Sequence, residues 1–170
     1  MPSQTFIMPS TLHIGEQAAD QIGREATRLQ TAKALIVSDD PVVAAGCVDP
    51  IIQSLEISGI DYEVYTGVDK EPNLHHVEEG LDVIHDKGCD LVVTVGGGSA
   101  HDCGKAIGIA ATHEGDLYEN YAGIERLTNE LPPITSVNTT AGTGSEVTRH
   151  CVLTNMDRKL NSHRLKPVVV

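Results

Sequence analysis

Aromatic residues are scarce in this sequence, which has no tryptophan, one phenylalanine and four tyrosines among 170 residues. The hydrophobic core must therefore consist mainly of valine, isoleucine, leucine and alanine. A chain of this length can bury a sizeable core and is expected to form one domain.

Basic residues are also few, because 12 lysines and arginines are outnumbered by 24 aspartates and glutamates, giving a formal net charge of −12. Nucleic acids and anionic membranes select basic surfaces, so we expect neither as a partner. An anionic cofactor remains compatible with this charge, since local backbone amides can outweigh a remote net charge. Apolar runs approaching the roughly 20 residues of a membrane span are also missing. The first ten residues lack the pattern of a signal peptide, and we expect a cytoplasmic protein.

Paired cysteines and clustered metal ligands are absent as well. The four cysteines, Cys47, Cys89, Cys103 and Cys151, form no CxxC motif, and their scatter favours reduced thiols in the cytosol. None of the eight histidines lies three or four residues from another, and no aspartate precedes a histidine by four. The sequence therefore predicts no helical face with two metal ligands of these types.

Apolar β-rich runs alternate with helical patterns along the chain. The predicted strands cover residues 33–39, 61–66, 90–95 and 132–137. The predicted helices cover residues 16–29, 49–58, 73–87 and a stretch from the glycines after residue 95 to about residue 111. This alternation predicts a Rossmann-like α/β domain with a parallel sheet flanked by helices on both faces. Ligands of such sheets bind beyond the carboxyl ends of the strands.

A glycine-rich turn follows the third predicted strand in the stretch VVTVGGGSAHDCGKAIG, residues 92–108. The N–H groups and the macrodipole at the start of a helix favour an anion, and glycines let a ligand approach the backbone. The stretch matches neither a dinucleotide fingerprint, because His101 stands where glycine is required, nor a Walker loop. Ser99 followed by Asp102 also fits a capping box in a connection that binds nothing.

Two further strand ends carry polar groups at the same predicted edge. Asp39 is placed to accept hydrogen bonds from the hydroxyls of an adenosine ribose, or to cap the next turn. The stretch NTTAGTGSEVT, residues 138–148, gathers hydroxyls and flexible backbone suited to phosphate. Thr143 with Glu146 also fits a capping box.

The glycine-containing stretches VGGGSAHDCGKAIG and NTTAGTGSEVTRHCVLTN resemble the iron-containing (group III) alcohol dehydrogenases, in particular their 1,3-propanediol dehydrogenase-like members. The resemblance extends from about residue 5 to residue 155 and implies the dehydroquinate synthase-like N-terminal fold with bound NAD. It implies that Asp39 holds the adenosine ribose and that Pro72 and Asn73 lie near it. The residues implied at the diphosphate and nicotinamide are Gly97, Gly98, Ser99, Asp102, Thr139, Thr140, Thr143 and, near the nicotinamide, Lys159.

Members of the resembled family continue into a helical domain with one aspartate and three histidines that bind a divalent metal, usually Fe²⁺. No counterpart of that domain is present among these residues, so we expect residues 1–170 to be a single NAD-binding domain, shortened at its C-terminal end. The implied function is hydride transfer between NAD and a small primary alcohol or diol, in a homo-oligomer. The alternative is a non-catalytic nucleotide-binding or interaction module.

Overall fold

The computed structural model describes residues 11–69, 71–122 and 126–154, and the backbone of residues 163–165. Its main sheet has four parallel strands in the order β2-β1-β3-β4. The strands are β1 (Lys33–Val37), β2 (Asp61–Tyr65), β3 (Leu91–Gly96) and β4 (Ile134–Asn138). All six residues of β3 are buried, as expected for a central parallel strand covered on both faces.

The strands are in register at the edge where they end. Val37 of β1 is paired with Tyr65 of β2 and with Thr94 of β3, and Gly96 of β3 is paired with Asn138 of β4. The predicted strands therefore lie side by side with their carboxyl ends at one edge, where ligands of such sheets bind.

Helices cover both faces of the sheet, which confirms the predicted fold class. The helices are α1 (Ile22–Arg28), α2 (Asp40–Ala44), α3 (Asp49–Ile57), α4 (Leu74–Lys87), α5 (Gly98–Ala110) and α6 (Leu117–Tyr121). Side chains alternate along β1, because Ile36 packs in the core under α1 and α3 whereas Leu35 packs in the core under α4 and α5.

Helix α5 lies unusually close to β3. A Cβ atom added at Gly104 would lie 2.1 Å from Cγ2 of Thr94, so only glycine permits this approach. The close packing fixes the direction in which the N-terminus of α5 points, relative to the end of the strand that precedes it.

The structure differs from the predicted elements mainly at short helices. The predicted helix over residues 16–29 begins instead with a 3-10 turn at Ala18–Gln21 followed by α1, because Gln17 has a left-handed φ of 61°. Helices α2 and α6 were not predicted, since five residues are too few to show a helical period.

A second, antiparallel pair joins β5 (Cys151–Leu153) to β6 (His163–Leu165). Thr154, which follows β5, donates its N–H to the carbonyl of Pro72 at 2.8 Å, which ties this pair to the start of α4. Cys89, Cys103 and Cys151 are buried, Cys47 is partly exposed, and all four cysteines are free thiols. In the part of the chain that is described, no helix has the length and apolar character needed to cross a membrane.

Candidate nucleotide-binding crevice

The glycine turn joins β3 to α5 without a side-chain cap. Gly96 has a φ of +152°, and a Cβ atom there would lie 2.9 Å from that of Ala100, so this position requires glycine. Gly97 is the N-cap residue, and α5 begins at Gly98. The alternative of a capping box between Ser99 and Asp102 is wrong, because Gly97 is the N-cap residue and the helix starts before Ser99. The N-cap residue therefore provides backbone alone at the positive end of α5.

Threonines of the β4–β5 connection face this turn. Thr139 donates its N–H to the carbonyl of Gly96 at 2.9 Å. A Cβ atom added at Gly97 would lie 3.5 Å from Cβ of Thr140, and one added at Gly98 would lie 3.2 Å from Cγ2 of Thr143. The glycines and the exposed threonines thus form two walls of a narrow crevice that side chains at residues 97 and 98 would fill.

Thr143 does not form the capping box that its spacing from Glu146 also allows. Its hydroxyl accepts a hydrogen bond from the N–H of Ser145 at 3.3 Å and lies 3.5 Å from the Glu146 carboxylate. A 3-10 turn at Ser145–Val147 follows, with Gly144 as its N-cap residue. The turn holds the threonine side chain against the glycine wall.

Asp39 lies at the neighbouring strand end and caps α2. Its Oδ1 accepts a hydrogen bond from the N–H of Val42 at 2.8 Å, which confirms the capping alternative. The carboxylate has a second oxygen with which it could accept a ribose hydroxyl, so the two roles are compatible. Ser38 donates to the carbonyl of Val95 at 2.9 Å and links the end of β1 to the end of β3.

Pro72 and Asn73 lie at the start of α4, where Asn73 caps the helix as predicted. Its side chain accepts hydrogen bonds from the N–H groups of His75 and His76, and its own N–H donates to Nδ1 of His76 at 3.3 Å. Pro72 is buried and bonded to Thr154. These described contacts are structural, and the proximity of both residues to an adenosine ribose stays a prediction.

Asp102 contacts the segment at residues 145–152. Its Oδ1 accepts a hydrogen bond from the hydroxyl of Ser145, its Oδ2 accepts one from the N–H of Val152 at 3.1 Å, and Lys105 Nζ lies 3.2 Å from Oδ1. The carboxylate therefore binds α5 to the chain that carries the threonine wall. A direct contact of Asp102 with the cofactor stays a prediction.

Lys105 is a buried residue that the sequence reasoning missed. Its side chain is 4% exposed, and Nζ donates to the carbonyls of Ser145, Thr148 and His150 and contacts the Ser145 hydroxyl. Burial lowers the pKa of Lys105, and the Asp102 carboxylate acts in the opposite direction. Its position three residues after Asp102 on a helix is the signal that could have identified it.

His101 is a second buried polar residue that was missed. Nδ1 lies 2.7 Å from Oγ1 of Thr94, and Nε2 lies 3.3 Å from Oδ1 of Asn138, so the ring joins α5 to β3 and β4 beneath the turn. Burial lowers the pKa of His101. Nothing in the sequence other than its place on an apolar helix indicated this role.

Comparison with known proteins identifies the family. The sequence matches the family described as "Iron-containing alcohol dehydrogenase" over residues 9–170. The chain belongs to this family. It is 53% identical over 157 residues to 1,3-propanediol dehydrogenase of Citrobacter freundii, covering 91% of this chain and 40% of the relative.

Solved structures of relatives confirm the family fold. A crystal structure of 1,3-propanediol oxidoreductase matches 98% of this chain and 43% of the other at 48% identity, with a TM-score of 0.93. NADH-dependent butanol dehydrogenase A of Thermotoga maritima matches 98% of this chain and 42% of the other at 28% identity, with a TM-score of 0.88. The chain thus spans about 40% of the length of such relatives and corresponds to their N-terminal part, with its dehydroquinate synthase-like fold.

The assignment of this crevice to NAD stays a prediction. Its backbone N–H groups and threonine hydroxyls are donors of the kind that bind a diphosphate, and a Cβ atom added at Gly98 would lie 3.2 Å from Cγ2 of Thr143. Lys159, assigned near the nicotinamide from the resemblance, lies outside the described residues. Within the described ranges, no group of three or more His, Cys, Asp or Glu side chains is placed to hold a metal ion.

A cavity of about 960 Å³ lies along β4 and the segment that precedes α1, and Lys105, Ser145 and Thr148 also line it. Its lining includes Ile14, Ile22 and Val137, but neither Asp39 nor the glycines of the turn.

Proposed function

We propose that this chain is the NAD-binding part of an iron-containing alcohol dehydrogenase that transfers hydride between NAD and a small primary alcohol or diol. The observation that carries this proposal is the crevice in which the uncapped N-terminus of α5 faces exposed threonine hydroxyls. Two relatives, a 1,3-propanediol dehydrogenase and an NADH-dependent butanol dehydrogenase, support the substrate class.

The chemistry of the crevice suits a dinucleotide in spite of the overall negative charge. The backbone N–H groups around Gly97, Gly98 and Ser99 point along the positive end of the helix dipole and would bind the diphosphate. Asp39, on the adjacent strand end, would accept the ribose hydroxyls and repel a 2′-phosphate. NAD, when bound, accepts or donates the hydride, and the residues of this chain bind and orient it.

Titration of the chain with NADH and NADPH, followed by nicotinamide fluorescence, tests the proposal. We expect saturable NADH binding that is at least about tenfold tighter than NADPH binding, because a carboxylate faces the additional phosphate. Absence of NADH binding, or equal affinity for both cofactors, would contradict the proposal. Assaying the same preparation with NAD and 1,3-propanediol after addition of Fe²⁺ distinguishes turnover from binding alone.

We further propose a homo-oligomer in the cytoplasm. Free thiols at all four cysteines support a reducing compartment. Light scattering coupled to gel filtration measures the oligomeric state, and a monomer at micromolar concentration would contradict that part of the proposal.

A further inference from the structure

We propose that Lys105 is a positioning residue for the diphosphate crevice. Its side chain holds residues 145–150 so that Thr143 stays against Gly98. The inference rests on the proposed function, since it concerns how the NAD site is kept in shape. It assigns to Lys105 no contact with the cofactor.

Helix α5 forms one wall of the crevice and, through Lys105, contacts the segment that follows the other wall. The N-terminus of α5 forms the glycine wall, and two turns later Lys105 Nζ reaches the carbonyl and hydroxyl of Ser145, each at 2.8 Å. The same nitrogen lies 3.3 Å from the carbonyl of Thr148 and also donates to that of His150. The side chain thereby fixes the segment directly after Thr143.

The contacts of Nζ exclude a direct phosphate contact in this arrangement. An ammonium group has three N–H donors, and five oxygen atoms of Asp102, Ser145, Thr148 and His150 already lie within 3.3 Å of it. Its charge is balanced by the Asp102 carboxylate, which itself accepts from Ser145 and from Val152. Lys105 therefore acts on the cofactor through the segment that it holds.

Removing the ammonium group would take a donor from the buried carbonyl and hydroxyl of Ser145 and from the partly buried carbonyls of Thr148 and His150. We expect residues 145–150 to shift, because buried acceptors that lose a partner seek a new one or solvent. Thr143 would then move away from the glycine wall, where its Cγ2 lies 3.2 Å from the position of a Cβ atom added at Gly98. The diphosphate would lose one wall of its site, whereas the ribose site at Asp39 lies after β1, at the start of α2, and would keep its form.

The test compares the dissociation constants of NADH and adenosine for Lys105→Met. We expect NADH to bind about tenfold more weakly, as follows from loss of one buried hydrogen-bonding partner, and adenosine to bind within about twofold of wild type. Lys33→Met is the matched control, because Lys33 pairs with Glu63 at 2.8 Å at the other end of β1, away from the crevice. That control should leave both affinities unchanged.

The possible outcomes separate the two proposals. Failure of wild type to bind NADH contradicts the proposed function, whereas wild-type binding with equal NADH affinity in Lys105→Met contradicts this inference alone. A parallel loss of NADH and adenosine affinity would show a general structural role and would also overturn it.

Circular dichroism establishes whether Lys105→Met folds. If it does not, Ser145→Ala decides, because it removes the hydroxyl that joins Lys105 to Asp102 and keeps the carbonyl contact. We expect about threefold weaker NADH binding with unchanged adenosine binding in this variant, and unchanged NADH affinity would overturn the inference.

Discussion

Helices α2 and α5 follow neighbouring strands of the same sheet, yet they begin in opposite ways. Helix α2 begins after Asp39, whose carboxylate accepts the N–H of Val42, whereas α5 begins after Gly97, which has no side chain to offer. Both starts lie at the carboxyl edge, so position in the fold does not explain the difference. The difference determines which groups each helix start presents, namely backbone N–H groups at α5 and a carboxylate at α2.

Burial explains why α5 can do without a cap. Nine of its 13 residues are buried, so packing against β3 and α4 stabilises the helix. None of the five residues of α2 is buried, and such a short exposed helix depends on its cap. The well-packed helix can therefore leave its N-terminus without a side-chain cap, while the exposed one is capped by the Asp39 carboxylate.

The largest effect is expected from Gly98→Val, which places a side chain at the start of α5, as Asp39 does at the start of α2. The new side chain would lie against Thr143 and fill the crevice, so NADH affinity should fall by about a hundredfold or more. Fluorescence titration measures the loss, and circular dichroism confirms the fold. Gly97→Ala, whose Cβ atom has only ordinary contact with Thr140, should fold normally and lose less affinity. Retained fold with wild-type affinity in both variants would show that the diphosphate binds elsewhere.

A smaller effect is expected when the carboxylate at α2 is neutralised. Asp39→Asn keeps a good capping side chain but removes the charge that faces a 2′-phosphate, so the preference for NADH over NADPH should narrow by about tenfold. Asp39→Gly should also narrow the preference for NADH over NADPH. Paired titrations with the two cofactors measure the ratio, and an unchanged ratio in Asp39→Asn would separate Asp39 from the ribose.

The cap itself has a modest energetic effect. Asp39→Ala removes the acceptor for the N–H of Val42 and should lower the free energy of unfolding by about 1 kcal/mol, whereas Asp39→Asn should leave it nearly unchanged. Urea denaturation of the three proteins checks this difference. Equal losses in both variants would mean that charge, not capping, stabilises α2.

The smallest effect concerns acid pH and the buried ring at the start of α5. Burial lowers the pKa of His101 below its ordinary 6.5, and nearby Lys105 acts in the same direction, while Asn138, Glu146 and Asp102 oppose it. The unfolded state therefore binds the proton more readily, and stability should decline as the pH falls from 6.5 through the lower folded pKa. Unfolding of wild type and His101→Gln across pH 7.5–5 measures the slope, which we expect to be shallower in the variant. Identical slopes would contradict the pKa direction.

The sheet and its ligand edge could be predicted from the sequence because their signals are local. Runs such as LVVTVG are buried on both faces, and Asn73 and Gly88 mark the two ends of α4 in the usual way. The starts of α5 and α2 were harder to predict from the sequence. Judged by residue type alone, a serine after glycines favours a capping box, but in the packed structure the helix begins at Gly98.

The burial of the polar groups beneath the crevice could not be predicted, for a different reason. Lysine and histidine at positions 105 and 101 belong to residue types that lie mostly at the surface or are only partly buried, so burial is not expected without a known partner. Apart from the nearby Asp102 and Thr94, their partners are Ser145, Thr148 and His150 for the lysine and Asn138 for the histidine, all more than 30 residues away along the chain. Only the fold brings these groups together.

The burial of the cysteines determines how the chain can be labelled. Desolvation raises the pKa of Cys103 to about 12 and raises those of Cys89 and Cys151 as well, so their reactive thiolate forms are rare at neutral pH. Cys47 is partly exposed and follows α2, with its N–H bonded to the carbonyl of Val42. A thiol-directed fluorophore would therefore attach to the native protein at Cys47 first, and its emission would report directly on the helix that Asp39 caps.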